Sequence, residues 1–149
     1  MLITGGATGI GLAMAGEFVK AGSEVIVCGR TDATLKEAKA RIPSLHIKKC
    51  NVANEAERDQ LYEWAVAHFQ NLNILVNNAG IQRMIDFRKG TRDILSHRAA
   101  DGEDEIEVNL KAPVYLTALF VPHLISVPEG LEHSKSLDRP SYEKYKYLN

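Results

Sequence analysis

Along the first eighty residues, short apolar or β-branched runs alternate with longer stretches whose apolar residues recur at helical spacing. That alternation is the mark of strand-helix-strand units on a parallel sheet. The expected strands are Leu2-Ile3-Thr4, Glu24 to Cys28, Leu45 to Lys48 and Asn73 to Asn77, each apolar at its centre as a strand covered on both faces should be. Between them, Gly9 to Ala21 places Ile10, Met14, Phe18 and Ala21 on one helical face and stops at Gly22. Thr31-Asp32 predicts the cap of a second helix holding Leu35, Ala38 and Ile42 and ended by Pro43. Asn54 predicts the cap of a third, through Leu61, Trp64, Ala65, His68 and Phe69.

After Gly80 the pattern changes. Residues 82–101 are rich in Arg, Lys, Asp and Gly with no sustained apolar face, which predicts a long surface loop with at most one helical turn. Glu103 to Ile125 then reads as a long helix with apolar positions at Ile106, Leu110, Val114, Leu116, Leu119, Phe120 and Leu124, bent near Pro113 and Pro122. Residues 126–149 are polar, hold Pro128 and Pro140 and offer no strand, so this tail is expected to pack poorly. The organisation is therefore one α/β domain over 1–125, with an incomplete doubly wound parallel sheet, followed by the tail.

With 149 residues, 45% hydrophobic and 25% charged, the chain suits a single globular domain and leaves no room for a second. A net charge of −1, from 18 basic and 19 acidic residues, gives no electrostatic reason to expect nucleic acid or an anionic membrane as partner. Cys28 and Cys50 both neighbour apolar residues and read as buried free thiols of a reducing compartment rather than a disulfide. Met1-Leu2-Ile3 runs straight into a glycine cluster without a signal-peptide pattern, and no apolar run is expected to approach membrane-spanning length, so a cytoplasmic location is expected. No metal-ligand set stands out.

The chemistry begins at Thr4-Gly5-Gly6-Ala7-Thr8-Gly9-Ile10-Gly11, which follows the first expected strand and opens the first helix. Glycines there permit positive φ and let a pyrophosphate approach the backbone, while the helix N-terminus attracts its charge. Gly5, Gly9 and Gly11, with Ile10 between the last two, are the candidate cofactor-binding residues. Alone, the same stretch could be a turn that merely tightens a strand-to-helix connection. No Gly-Lys-Ser/Thr follows, which excludes a Walker-type phosphate loop. Gly29-Arg30 ends the second strand where an acidic residue would otherwise accept from the ribose 2′-hydroxyl of NAD. A guanidinium there matches a 2′-phosphate in charge and geometry, so NADP(H) is favoured, with NAD(H) as the alternative.

The Gly-x-x-x-Gly-x-Gly spacing after Thr4 resembles the fingerprint of the short-chain dehydrogenase/reductase family, and Asn77-Asn78-Ala79-Gly80 resembles its second motif in the expected order. On residues alone, the second stretch reads equally as an Asx turn. The resemblance implies a Rossmann-type fold and an oxidoreductase moving hydride between the nicotinamide and a small carbonyl or alcohol substrate; a homo-oligomer is compatible with it. It implies cofactor-contacting roles for Asn78, Ala79 and Gly80, and for Asn51-Val52 as the pair beside the adenine ring. Asn109, in Glu107-Val108-Asn109-Leu110, resembles the family's active-site helix asparagine, which helps hold a water in a proton relay. Asn77 to Arg83 and Val121-Pro122-His123-Leu124 further resemble a DltE-like branch of the family.

The likeness covers residues 1 to about 125. The strand carrying the family's catalytic serine is not recognisable, and Tyr142 with Lys146, although spaced as a Tyr-x-x-x-Lys pair, sits in a tail full of Tyr and Lys. The expectation is a truncated or mis-assigned gene product or a degenerate paralogue; the rival to the oxidoreductase reading is a catalytically silent nucleotide-binding module that keeps Gly5, Gly9, Gly11, Arg30 and Asn78. A flavodoxin-like or response-regulator-like module is set aside because such folds do not require this glycine loop.

Overall fold

Strand β1 (Leu2–Thr4) takes the centre because every one of its residues is apolar or has a satisfied hydroxyl, and all three are buried. The structure is a computed structural model and describes residues 1–82, 86–90 and 105–127. Strands β2 (Ile26–Gly29), β3 (His46–Lys49) and β4 (Leu75–Val76) join β1 in one parallel sheet of order β3-β2-β1-β4. The register pairs Ile3 with Val27 and Val76, and Val27 with Ile47.

Strand periodicity divides the core in two. Leu2, Ile26 and Cys28 face one layer, with Leu61, Ala65, Val108, Ala112, Leu116 and Phe120. Ile3, Val25 and Val27 face the other, with Ala15, Leu35 and Ala38. Helices α1 (Gly9–Lys20) and α2 (Asp32–Arg41) therefore cover one face, and α3 (Glu55–His68) and α4 (Ala112–Ser126) the other. This is the doubly wound, Rossmann-type arrangement the sequence predicts, and among the described residues β4 is the outer strand on one side.

The helix ends follow local chemistry. At the end of α1, Gly22 N–H donates to Val19 and Ser23 N–H to Phe18, the paired bonds that close a glycine-terminated helix. Asn54 caps α3 by accepting from Glu57 N–H at 3.1 Å, whereas Thr31 precedes α2 without a side-chain cap bond.

Two expected helical faces are corrected. In α1 Met14 and Phe18 pack against the core as expected, beside the buried Gly11 and Ala15, but Ile10 points outward with 78% exposure and Ala21 is exposed beyond the helix. Before α4 the chain makes a wider π-type turn over Glu107–Lys111, and the buried row becomes Val108, Ala112, Leu116 and Phe120. Ile106, Leu110 and Val114, expected inside, are exposed. A count of every fourth residue started at Ile106 runs two positions out of step with the buried row, so it lands on the opposite side of the helix. The turn and α4 together span Glu107–Ser126, 20 residues of mean hydropathy 1.3, long and apolar enough to cross a membrane by length and composition alone. The expectation that no apolar run approaches membrane-spanning length is corrected for this stretch, whose helical turns run unbroken through Pro113 and Pro122.

Within the expected surface loop, one tight turn forms at Phe87–Lys89, where Asp86 accepts from Arg88 N–H at 3.1 Å. Residues 83–85 and 91–104, and the tail from 128 with Tyr142 and Lys146, lie outside the described residues.

Candidate nucleotide-binding site

Parallel strands direct their C-terminal ends to one edge, and between β1 and β4 the chain order reverses, the point where open α/β sheets form a crevice. A cleft of about 510 Å³ opens there. Gly5, Gly9, Ile10, Gly11, Arg30, Asn51, Val52, Asn78, Ala79 and Gly80 all line it. These ten are the positions singled out from sequence as cofactor-binding. Thr8, Thr34, Cys50, Ile81 and Val108 also line the cleft and were not anticipated. Only their position relative to strand ends could have signalled them.

The glycines divide the work. Gly5 (φ 63°) and Gly9 (φ 53°) take left-handed backbone that side chains disfavour. A Cβ on Gly9 would meet nothing within 4 Å, so this glycine leaves open space at the start of α1. A Cβ on Gly11 would lie 2.4 Å from the Gly5 carbonyl oxygen and 2.5 Å from Asn78 Nδ2. Gly11 thus allows α1 to pack on the loop itself. The space at Gly9, beside the N–H groups that open α1, fits a phosphate group of a dinucleotide.

The joint between β1 and β4 rests on Thr4. Its buried hydroxyl accepts from Asn78 N–H and Ala79 N–H, each at 3.0 Å, and donates toward the Val76 carbonyl at 3.4 Å. Asn78 Nδ2 in turn donates to the carbonyls of Thr4 (3.0 Å) and Gly5 (3.2 Å). The glycine loop and the Asn77–Gly80 turn are therefore one unit. Asn77 Nδ2 extends it to α4 by donating to Thr117 Oγ1 at 3.2 Å. The polar residue ending an apolar strand was the sequence signal for Thr4, and its role there was missed.

Asn109 does not line the cleft. Its side chain clamps Ile81, accepting from the Ile81 N–H at 2.8 Å and donating to the Ile81 carbonyl at 2.7 Å. Both ends of the amide are engaged with backbone that borders the cleft, and its own main chain lies within the wide turn. Cys28 and Cys50 are free and buried. The Cys50 thiol beside it, followed by burial, holds the Cys28 thiol well above its ordinary value of 9.0. Among the described residues no group of three or more metal-ligating side chains occurs.

A parallel sheet wound with helices on both faces, with a glycine loop and an Asn-Asn-Ala-Gly turn meeting at its switch point, defines a Rossmann-type α/β domain. Residues 1–131 match the short chain dehydrogenase family, and the chain belongs to that family. It is 54% identical over 130 residues to the uncharacterized oxidoreductase DltE of Bacillus subtilis strain 168, covering 87% of this chain and 50% of that protein. Serine dehydrogenase from Escherichia coli has a similar structure, with TM-score 0.69 and 30% identity, covering 84% of this chain and 56% of that one. So does an NADPH-bound short chain oxidoreductase with an atypical catalytic center from Pseudomonas aeruginosa PAO1, with TM-score 0.69, 27% identity and coverages of 84% and 48%. The chain thus spans about half the length of these proteins.

Proposed function

We propose that this chain binds NADP(H) in the cleft and is the nucleotide-binding part of an oxidoreductase acting on a small carbonyl or alcohol compound. The observation that carries the reading is the cleft wall at the end of β2, where Gly29 and Arg30 stand and, among the described residues, no Asp or Glu joins the lining. A carboxylate at that edge would favour a ribose hydroxyl and repel a phosphate; a guanidinium does the reverse. The NADPH-bound relative is consistent with this preference.

Each lining group has a task in this reading. The N–H groups at the start of α1 and the space at Gly9 receive the pyrophosphate, Arg30 faces the 2′-phosphate, and Asn51-Val52 border the base. Thr4 and Asn78 keep the two halves of the cleft together, and Asn109 holds Ile81 at its rim. The bound cofactor would supply the hydride, which with one proton converts a carbonyl to an alcohol. A cytoplasmic location and pairing with a second copy are both compatible with this reading.

A second reading, a nucleotide-binding module without turnover, is favoured by one observation: Tyr142 and Lys146, the sequence candidates for proton transfer, fall beyond the 1–131 span that matches the family. Paired titrations test the cofactor assignment. Wild type is expected to bind NADPH more tightly than NADH, and Arg30→Ala to lose most of that difference, roughly tenfold or more for a charge-assisted contact. An unchanged ratio of the two affinities would remove Arg30 as selector. Assay of NADPH oxidation against aldehydes, ketones and quinones separates the two readings. Turnover abolished by Tyr142→Phe identifies the enzyme, and tight binding without turnover the silent module.

A further inference from the structure

Arg58 lies in the first turns of α3 with only 3% of its surface exposed, and it is not part of the cleft lining. Its Nη1 donates to the Val52 carbonyl at 2.7 Å, and its guanidinium carbon sits 5.0 Å from the centre of the Tyr115 ring on α4. Among the described residues no carboxylate forms an ion pair with it. Burying a guanidinium without a carboxylate is costly, and an apolar side chain of similar length would fill the seam between α3 and α4 at lower cost. What an apolar side chain cannot do is hold the carbonyl of Val52.

We propose that Arg58 is a positioning residue for the base end of the cleft, fixing the Asn51-Val52 backbone against α3 and α4 at once. Two other bonds hold the same segment to α3, namely Asn51 N–H to Glu57 Oε2 at 2.8 Å and Cys50 Sγ to the Glu57 carbonyl at 3.5 Å. Neither reaches α4. Arg58 alone among these ties spans both helices, through its short charged bond to Val52 on one side and its ring contact with Tyr115 on the other. The direction in which Asn51 and Val52 present their polar groups to a base therefore depends on this side chain, although it touches no base itself. This inference rests on the nucleotide reading given above.

The test measures binding of NADPH and of its hypoxanthine analogue, which differs only at the base edge, to wild type, Arg58→Met and Arg58→Lys, with thermal melts of each. Wild type is expected to prefer NADPH. Arg58→Met should weaken NADPH binding about tenfold, the low end for a hydrogen bond to a charged group. It should weaken the analogue less, so that the preference shrinks. Arg58→Lys, which keeps a charged donor but not the flat face against Tyr115, should fall between the two. A general loss of stability would lower the melting temperature without changing the preference between the two nucleotides. A folded Arg58→Met with an unchanged preference overturns the proposal. If Arg58→Met does not fold, the preference measured on Arg58→Lys decides in the same way. Wild type that binds neither nucleotide overturns the nucleotide reading and this inference together; wild type that binds both equally overturns this inference alone.

Discussion

Replacing Gly11 with alanine would place a methyl carbon 2.4 Å from the Gly5 carbonyl oxygen, 2.5 Å from Asn78 Nδ2 and 2.9 Å from the Gly6 Cα. Two of these neighbours are backbone and the third is pinned by bonds to Thr4 and Gly5, so no flexible side-chain tip can yield. Forcing an extra carbon into such a contact costs about 1–3 kcal/mol. Displacing Asn78 also breaks two hydrogen bonds worth about 1 kcal/mol each. The expected destabilisation is thus about 3–5 kcal/mol, a large share of the roughly 5–15 kcal/mol typical of a domain. That corresponds to a fall in melting temperature on the order of 5–15 °C. Gly9→Ala is the contrasting variant. Its Cβ meets nothing, so only the positive φ is penalised, by about 1 kcal/mol, while the new methyl enters space assigned to a phosphate. Urea unfolding and NADPH titration of both variants should therefore separate them. Gly11→Ala should lose mostly stability, and Gly9→Ala mostly affinity. A Gly11→Ala protein with wild-type unfolding midpoint and wild-type affinity would refute the packing argument.

Thr4→Val removes the acceptor of Ala79 N–H and leaves Asn78 N–H only the Val76 carbonyl, so a loss of about 2–3 kcal/mol is expected in urea unfolding. An unchanged midpoint would mean that the loop and the turn are joined by other contacts. Because the Cys28 thiol is held above its ordinary value of 9.0, the folded state keeps a proton that the unfolded chain gives up. Stability should therefore fall with rising pH only above about pH 9, by up to about 1.4 kcal/mol per pH unit from this group. Cys28→Ala should flatten that alkaline slope relative to wild type, and identical slopes would remove Cys28 as its source.

Much of the fold could be read along the chain because parallel strands and their covering helices leave strong local marks. The alternation of Val25, Ile26, Val27 and Cys28 between two core layers is the pattern of a strand covered on both faces, and Asn54 caps α3 as its position predicts. What went unread depends on phase or on distance. Ile10 was placed on a buried face, yet the turn out of β1 rotates α1 so that Gly11 and Ala15 face the sheet and Ile10 faces the cleft. In the helical stretch from Glu107 to Ser126, too, the core meets the side carrying Val108, Ala112, Leu116 and Phe120 and leaves Ile106, Leu110 and Val114 exposed, because docking and not the apolar pattern selects the face.

The sequence by itself determined the class of the molecule: the glycine spacing, the Asn-Asn-Ala-Gly turn and Arg30 are local chemical signals, legible because each requires particular residues at short range. Only the tertiary structure decided how they cooperate. Thr4 and Asn78 are 74 positions apart in the chain, Asn109 and Ile81 28 apart, and Arg58 meets Tyr115 across two helices. No periodicity encodes such pairs. They exist because a parallel sheet brings the ends of distant strands to one edge, where buried donors and acceptors must find each other or remain unsatisfied.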